Sequence, residues 1–267
     1  MRYMRNREFF AAGILLLLSG FCIYGCGKST NLFGWTHAEG KSDDPEVLLH
    51  DADAALASGD YQAAMDYYKK IVDNDSTNSL ARYGYVTAYM KKEFQDLDVA
   101  TLLTNLSNQS SDTANSSLID PSKFSTQTLI DMGNALVDNL APISEGKCDG
   151  DVKSSDIGMN VNLAFGYMLQ AVGTIMDPGK DGKADYDFKK DANGDYKLYY
   201  SNTQTEVTDP TAALGSTVKA DVLAKLNDAE TTVQDTVAAN PTKTNADKTL
   251  NDIAKMIDDL KAEISKT

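Results

Sequence analysis

The sequence predicts a mostly α fold, in which helical hairpins stack with further helices and a small β-hairpin is inserted between them. Three observations lead there. Apolar residues recur at three- and four-residue spacing in successive stretches between residues 45 and 266. One short region, Ala184–Lys189 and Asp195–Tyr200, instead alternates around Ala192-Asn193-Gly194, the turn chemistry of a hairpin. Finally, 267 residues with 42% hydrophobic and 24% charged are enough to build a core.

At the N-terminus, MRYMRNRE carries three arginines and one glutamate, and an apolar run follows from Phe9 to Gly25. A membrane span needs about 20 apolar residues, so this run, interrupted by Gly13, Ser19 and Gly20, suits a removable signal segment. The other reading is an uncleaved signal anchor. The junction Ile23-Tyr24-Gly25-Cys26 resembles the lipobox of bacterial lipoproteins, with an aliphatic residue three before the cysteine and a small one directly before it. Tyr24 departs from the small residue usual at its position. Cys22 competes as acceptor, but Phe21 before it is too bulky, which leaves Cys26 as the residue that the resemblance marks for lipid attachment. Acyl chains contribute about 0.8 kcal/mol per buried CH2, and two chains suffice to anchor a protein. Gly27 after the cysteine implies, by the same resemblance, the outer membrane. Loss of residues 1–25 removes a net +2 from the −14 of the chain and leaves Cys148 as the thiol not engaged by lipid. In an exported compartment such a cysteine is more often inert than catalytic.

Residues 26–43 contain Gly27, Ser29, Thr30, Asn31, Gly34, Gly40 and Ser42 without an apolar period and read as a flexible tether. Asp44-Pro45-Glu46 is a helix start, and the helix runs to about Ser58. Gly59-Asp60 breaks it. A second helical run then places Tyr61, Ala64, Met65, Tyr68, Ile71 and Val72 on one face.

The run from Gly59 to Ile71 resembles the tetratricopeptide repeat, matching its G-D-Y-x-x-A-x-x-Y-Y-x-K-A pattern, and Asp73–Asn78 stands where that family has its D-P-x-N turn. Ser76 replaces the proline. In the first helix Leu48, Ala52 and Ala55 fit the family's pattern, while Asp51 occupies a usually apolar site. A second repeat begins at Ser79, with Leu80–Met90 as its first helix; Phe94–Ala100 lacks the glycine and tyrosine of a second one. The resemblance covers 45–91 closely and 92–107 loosely, giving a repeat region at 44–107. In this family the first helix of each repeat contacts the ligand. Carried over, this implies partner-binding roles for Leu49, Asp53 and Leu56, and for Tyr83, Thr87, Met90 and Lys91. Equally, Leu49, Tyr83 and Met90 suit packing against later helices. Repeat hairpins need neighbours, so the later helices are expected to stack on this pair.

Region 108–267 supplies those helices. Residues 105–125 form a polar, serine-rich stretch that reads as a mobile loop. Thr126–Leu140 and Asn160–Met176 are apolar helices whose Gly133, Gly166 and Gly173 suggest either close helix contact or simple irregularity. The inserted hairpin lies near 184–201. Six aspartates between Asp177 and Asp195 raise a calcium reading, in which Asp181 and Gly182 match the fifth and sixth positions of an EF-hand loop. Gly179 and Phe188 occupy positions that need oxygen ligands, and turn formation is the preferred role. Thr217–Ala239 and Asn245–Lys266 form an antiparallel C-terminal pair broken at Asn240-Pro241.

A net charge of −14 without a basic stripe speaks against nucleic acid. Two histidines and three cysteines leave little for a metal or His-dependent site, and no phosphate loop, G-x-S-x-G elbow or H-E-x-x-H helix occurs. No catalytic residue, metal or cofactor is assigned. The expected function is a lipid-anchored scaffold or adaptor of the bacterial cell envelope that binds a protein partner. The alternative is a solute-binding or transport-associated lipoprotein with a pocket between the 126–176 helices.

Overall fold

Local capping chemistry sets most of the element boundaries in the computed structural model, which describes residues 43–94, 125–191, 195–241 and 244–266. The order is α1 (Pro45–Ser58), α2 (Tyr61–Asn74), α3 (Ser79–Phe94), α4 (Thr126–Ser144), α5 (Ile157–Met176), β1 (Tyr186–Lys190), β2 (Tyr196–Tyr200), α6 (Pro210–Leu214), α7 (Ser216–Ala239) and α8 (Thr244–Ile264). Contacts gather Pro45–Thr267 into one unit. Among the described residues no helix is long and apolar enough to cross a membrane. The N-terminal segment with Cys26, the tether, most of the loosely matching 92–107 stretch, the serine-rich stretch up to residue 124 and the hairpin tip 192–194 lie outside the described residues.

The α1–α2 turn follows from two residues. Gly59, at φ +83°, donates to the Leu56 carbonyl at 3.2 Å, and Asp60 N–H donates to the Ala55 carbonyl at 2.9 Å. These two bonds satisfy carbonyls that the end of α1 leaves open, and the left-handed φ favours glycine there. Asp60 then caps α2, its side chain accepting from Ala63 N–H at 3.1 Å. At the next turn Asp75 accepts from the Thr77 amide and hydroxyl, while Asn78 accepts from Ala81 N–H at 2.9 Å and caps α3. Side-chain hydrogen bonds thus fix the turn around Ser76 without a proline.

Small residues let α1, α2 and α3 approach: Ala52, Ala64, Ala81 and Ala88 are completely buried. The Tyr68 ring packs onto Gly84 of α3, where a β-carbon would collide with it. Together with Leu48, Met65 and Ile71 these residues make a first core. A second, larger core is built by α3 to α8 and the hairpin, and α3 serves both: Ala81 and Ala88 face the first, Val86 and Met90 the second.

The α4–α5 pair is the centre of the larger core. Ser125 caps α4 through Thr128 N–H at 3.1 Å, and Asp156 caps α5 through Met159 N–H at 2.8 Å, so α5 begins at Ile157, earlier than its apolar period indicates. Close contact, not irregularity, explains the glycines. A β-carbon on Gly133 would lie 2.8 Å from the Gln170 nitrogen, one on Gly166 2.7 Å from Leu136 Cβ, and one on Gly173 2.6 Å from Ile130 Cγ1. The seam is continuous along α5 at seven-residue spacing.

β1 and β2 pair antiparallel from Tyr186–Tyr200 to Lys190–Tyr196, with Tyr186, Phe188, Tyr196 and Leu198 buried. The chain then turns back along β2, Val207 N–H donating to Leu198 C=O at 2.7 Å. Helix α6, which the periodicity does not announce, is capped by Asp209 and receives the Tyr186 hydroxyl on its Ala213 carbonyl at 2.9 Å. Antiparallel packing of α7 and α8 is marked at one end by Lys219, which donates to the Lys266 carbonyl at 3.2 Å, and further along by the Lys261–Glu230 ion pair at 2.6 Å. Glu263, almost fully buried, ties α8 to β2: its carboxylate accepts from Leu198 N–H at 3.2 Å and faces Lys197 and Lys266.

Candidate functional site

Helix α1 presents Leu49, Asp53 and Leu56 at three- and four-residue spacing. Leu49 is half-buried against the first core. Asp53 is exposed, yet its carboxylate is held from below, because the buried Tyr68 hydroxyl of α2 donates to Asp53 Oδ1 at 2.5 Å. Burial, and then the hydrogen bond and charge of Asp53, push the Tyr68 phenol well above its ordinary range. The hydroxyl therefore stays a donor across the physiological range, and Asp53 keeps one oriented carboxylate.

Lys91 of α3 is exposed and, among the described residues, makes no ion pair. It lines one open depression with Asp53 and Leu56, completed by Ala57, Ser58 and Gly59 at the end of α1 and by Tyr61 at the start of α2. The depression has a volume of about 610 Å³. Three of the seven positions implied by the repeat resemblance thus meet at one place. Ala57, Ser58, Gly59 and Tyr61 were not among them; Tyr61 and Gly59 were legible only as repeat-framework residues, and the wall they form is a consequence of the tight α1–α2 turn.

The other positions on α3 turn elsewhere. Met90 is buried in the larger core, and Tyr83 packs beside α5, its hydroxyl 3.2 Å from where a Gly158 β-carbon would stand. Burial, then the Asp156 charge, raises the Tyr83 phenol. Thr87 uses its hydroxyl within the helix, donating to the Tyr83 carbonyl at 2.9 Å. Tyr83, Val86 and Met90 follow helical spacing on the face toward the larger core, so packing claims Tyr83 and Met90. Tyr89 stands between the cores, stacked on Tyr85 at 6.3 Å, and burial, then the charges of Glu93 and Asp131, push its phenol up to about 12.

The remaining chemistry-bearing groups are structural. Asp177, buried at the end of α5, accepts from Asp181 N–H at 3.1 Å and Gly182 N–H at 2.8 Å, and so shapes the loop into β1. Asp191 accepts from Asp195 N–H at 3.0 Å in the same manner across the hairpin end. These carboxylates do turn chemistry, and among the described residues no group of three or more His, Cys, Asp or Glu is placed to hold a metal ion. Cys148 lies in the segment that clips onto the α2–α3 turn, where Ser79 N–H donates to Asp149 C=O at 2.9 Å and Asp149 N–H to Thr77 C=O at 2.8 Å. Burial raises its thiol, against the influence of Arg82. Arg82 itself donates to the Ser76 and Asp138 carbonyls, joining the α2–α3 turn to α4. Between α4 and α5, where a solute pocket is the alternative expectation, the glycine seam brings backbone into contact. No protein-family model matches the chain, and neither curated proteins nor solved structures give a significant match to it.

Proposed function

We propose that this chain is a tetratricopeptide-type lipoprotein of the bacterial envelope, anchored through an acylated Cys26 at the outer membrane and acting as a non-catalytic scaffold that binds a protein partner. The observation that carries the binding reading is the convergence of Asp53, Leu56 and Lys91 on one open depression, lined by α1, the α1–α2 turn, the start of α2 and α3. That wall combines apolar surface with a carboxylate and an ammonium, the mixture on which a polypeptide segment gains both burial and orientation. The anchoring reading rests on the residues from Met1 to Cys26 alone.

Two experiments test the parts separately. Cys26→Ser should leave an unprocessed precursor and abolish labelling by a fatty-acid probe; unchanged labelling sinks the anchor. For binding, the tagged chain is purified from gently solubilised envelopes beside a Leu56→Asp, Lys91→Glu variant; Leu56 is half-buried and packs on the first core, so circular dichroism and thermal melting must first show the variant folded. A stoichiometric partner present with wild type and lost from the variant supports the scaffold. A partner retained by the variant places binding on another surface.

A further inference from the structure

Resting on the reading that the depression is the docking site, we infer that its occupant is a partner segment bearing a basic side chain beside an apolar one, with the cation seated on Asp53. Three observations point the same way. Asp53 Oδ1 is fixed by the Tyr68 hydroxyl at 2.5 Å, which leaves the second carboxylate oxygen oriented for an incoming donor. The end of α1, which forms the adjoining wall, has no basic residue in its last turn, so no cation of that turn neutralises Asp53. The whole chain carries −14, a field that draws basic partners and repels acidic ones.

Leu56 and Tyr61 supply apolar surface for the stem of an arginine or lysine and for the neighbouring side chain. Lys91, which lines the same depression, repels a second cation and so restricts the segment to one basic residue at that point. Docking here is thus a selection on charge position as well as on hydrophobicity.

The test uses the full chain in detergent and two short, terminally blocked peptides, one with a single arginine beside two leucines and one with citrulline in its place. The arginine peptide is expected to bind wild type about fivefold more tightly, the range of a partly exposed charge pair. The preference should vanish in Asp53→Asn, shrink in Tyr68→Phe, and grow in Lys91→Glu. Equal binding of both peptides to wild type, with loss of both in Leu56→Asp, overturns the cation inference while leaving the depression as the docking site. Binding of either peptide that Leu56→Asp does not affect overturns both readings. A concentration-dependent dimer abolished by Asp53→Asn assigns the depression to a second copy of the chain and overturns the inference as well.

Discussion

Tyr68 joins three levels of the molecule in one side chain. Its ring closes α2 onto Gly84, its hydroxyl meets Asp53, and it is 2% exposed. The raised phenol gives a definite pH signature. A group whose folded pKa lies above its unfolded value stabilises fully below the unfolded value, about 10 for tyrosine, and loses that contribution as pH rises toward the folded one. Unfolding free energy should therefore fall with pH above about 10. Tyr68→Phe should lower stability at neutral pH by about 1 kcal/mol, through the lost hydrogen bond, and flatten the alkaline decline. Urea titrations at a series of pH values check both; an equally steep decline in the variant assigns it to the other buried phenols. Glu263 is the corresponding case at the C-terminus. Glu263→Gln keeps the shape and the bond from Leu198 N–H but leaves Lys197 and Lys266 facing a neutral group. A loss of about 1–2 kcal/mol is expected in the same titration. No loss would mean that the cost of burying the carboxylate offsets what the two lysines contribute.

Among the elements, the α4–α5 seam shows two principles in competition. Glycine in a helix interior is worse than alanine by about 1 kcal/mol, so Gly133→Ala improves the isolated helix. In the folded chain the new methyl meets backbone at 2.8 Å, which has no freedom to move aside as a side chain would. Overpacking of this kind costs about 1–3 kcal/mol and should win, making the variant less stable in denaturant. Gly158→Ala is the control, because its nearest neighbour is the Tyr83 hydroxyl at 3.2 Å, and it should be close to neutral. A stabilising Gly133→Ala would show that α4 and α5 separate readily. The same competition explains which elements the sequence made legible. Long helices announced themselves through apolar spacing, and α1 and α2 through Pro45, Gly59 and Asp60. The end of α4 ran past its apolar period and through Pro142. Helix α6 is too short to display a period at all. In the hairpin, alternation located the strands, but Asp187 is buried too, covered by Gln204, whose amide donates to it at 3.2 Å. A contact between residues 17 apart leaves no trace in a period of two.

For the molecule as a whole, the division into two cores governs both what could be foreseen of the site and how the chain should move. Periodicity reports that a helix has an apolar face without naming the helix it meets. Asp53, Leu56 and Lys91 were legible through the repeat pattern, whereas the loss of Tyr83 and Met90 to the larger core depended on where α4 and α5 dock. The described contacts of α1 and α2 are chiefly with each other and with α3, and their core is largely alanine beside Leu48, Met65, Tyr68 and Ile71. Small side chains bury little apolar area, so this hairpin gains less per residue than α5, which is buried along most of its length. Its ties to the rest run through α3, by way of Arg82 and the Asp149 clip. Opening of α1–α2 away from α3 therefore breaks few contacts of the larger core. Native-state hydrogen exchange should show α1 and α2 amides exchanging together through a sub-global opening, at lower free energy than amides of α5. Leu48→Ala should lower the α1–α2 value by about 2–5 kcal/mol, or abolish protection there, while leaving α5 nearly unchanged. If α5 protection falls by the same amount, the two cores unfold as one, and the depression, which lies wholly on α1, α2 and α3, opens only when the entire molecule does.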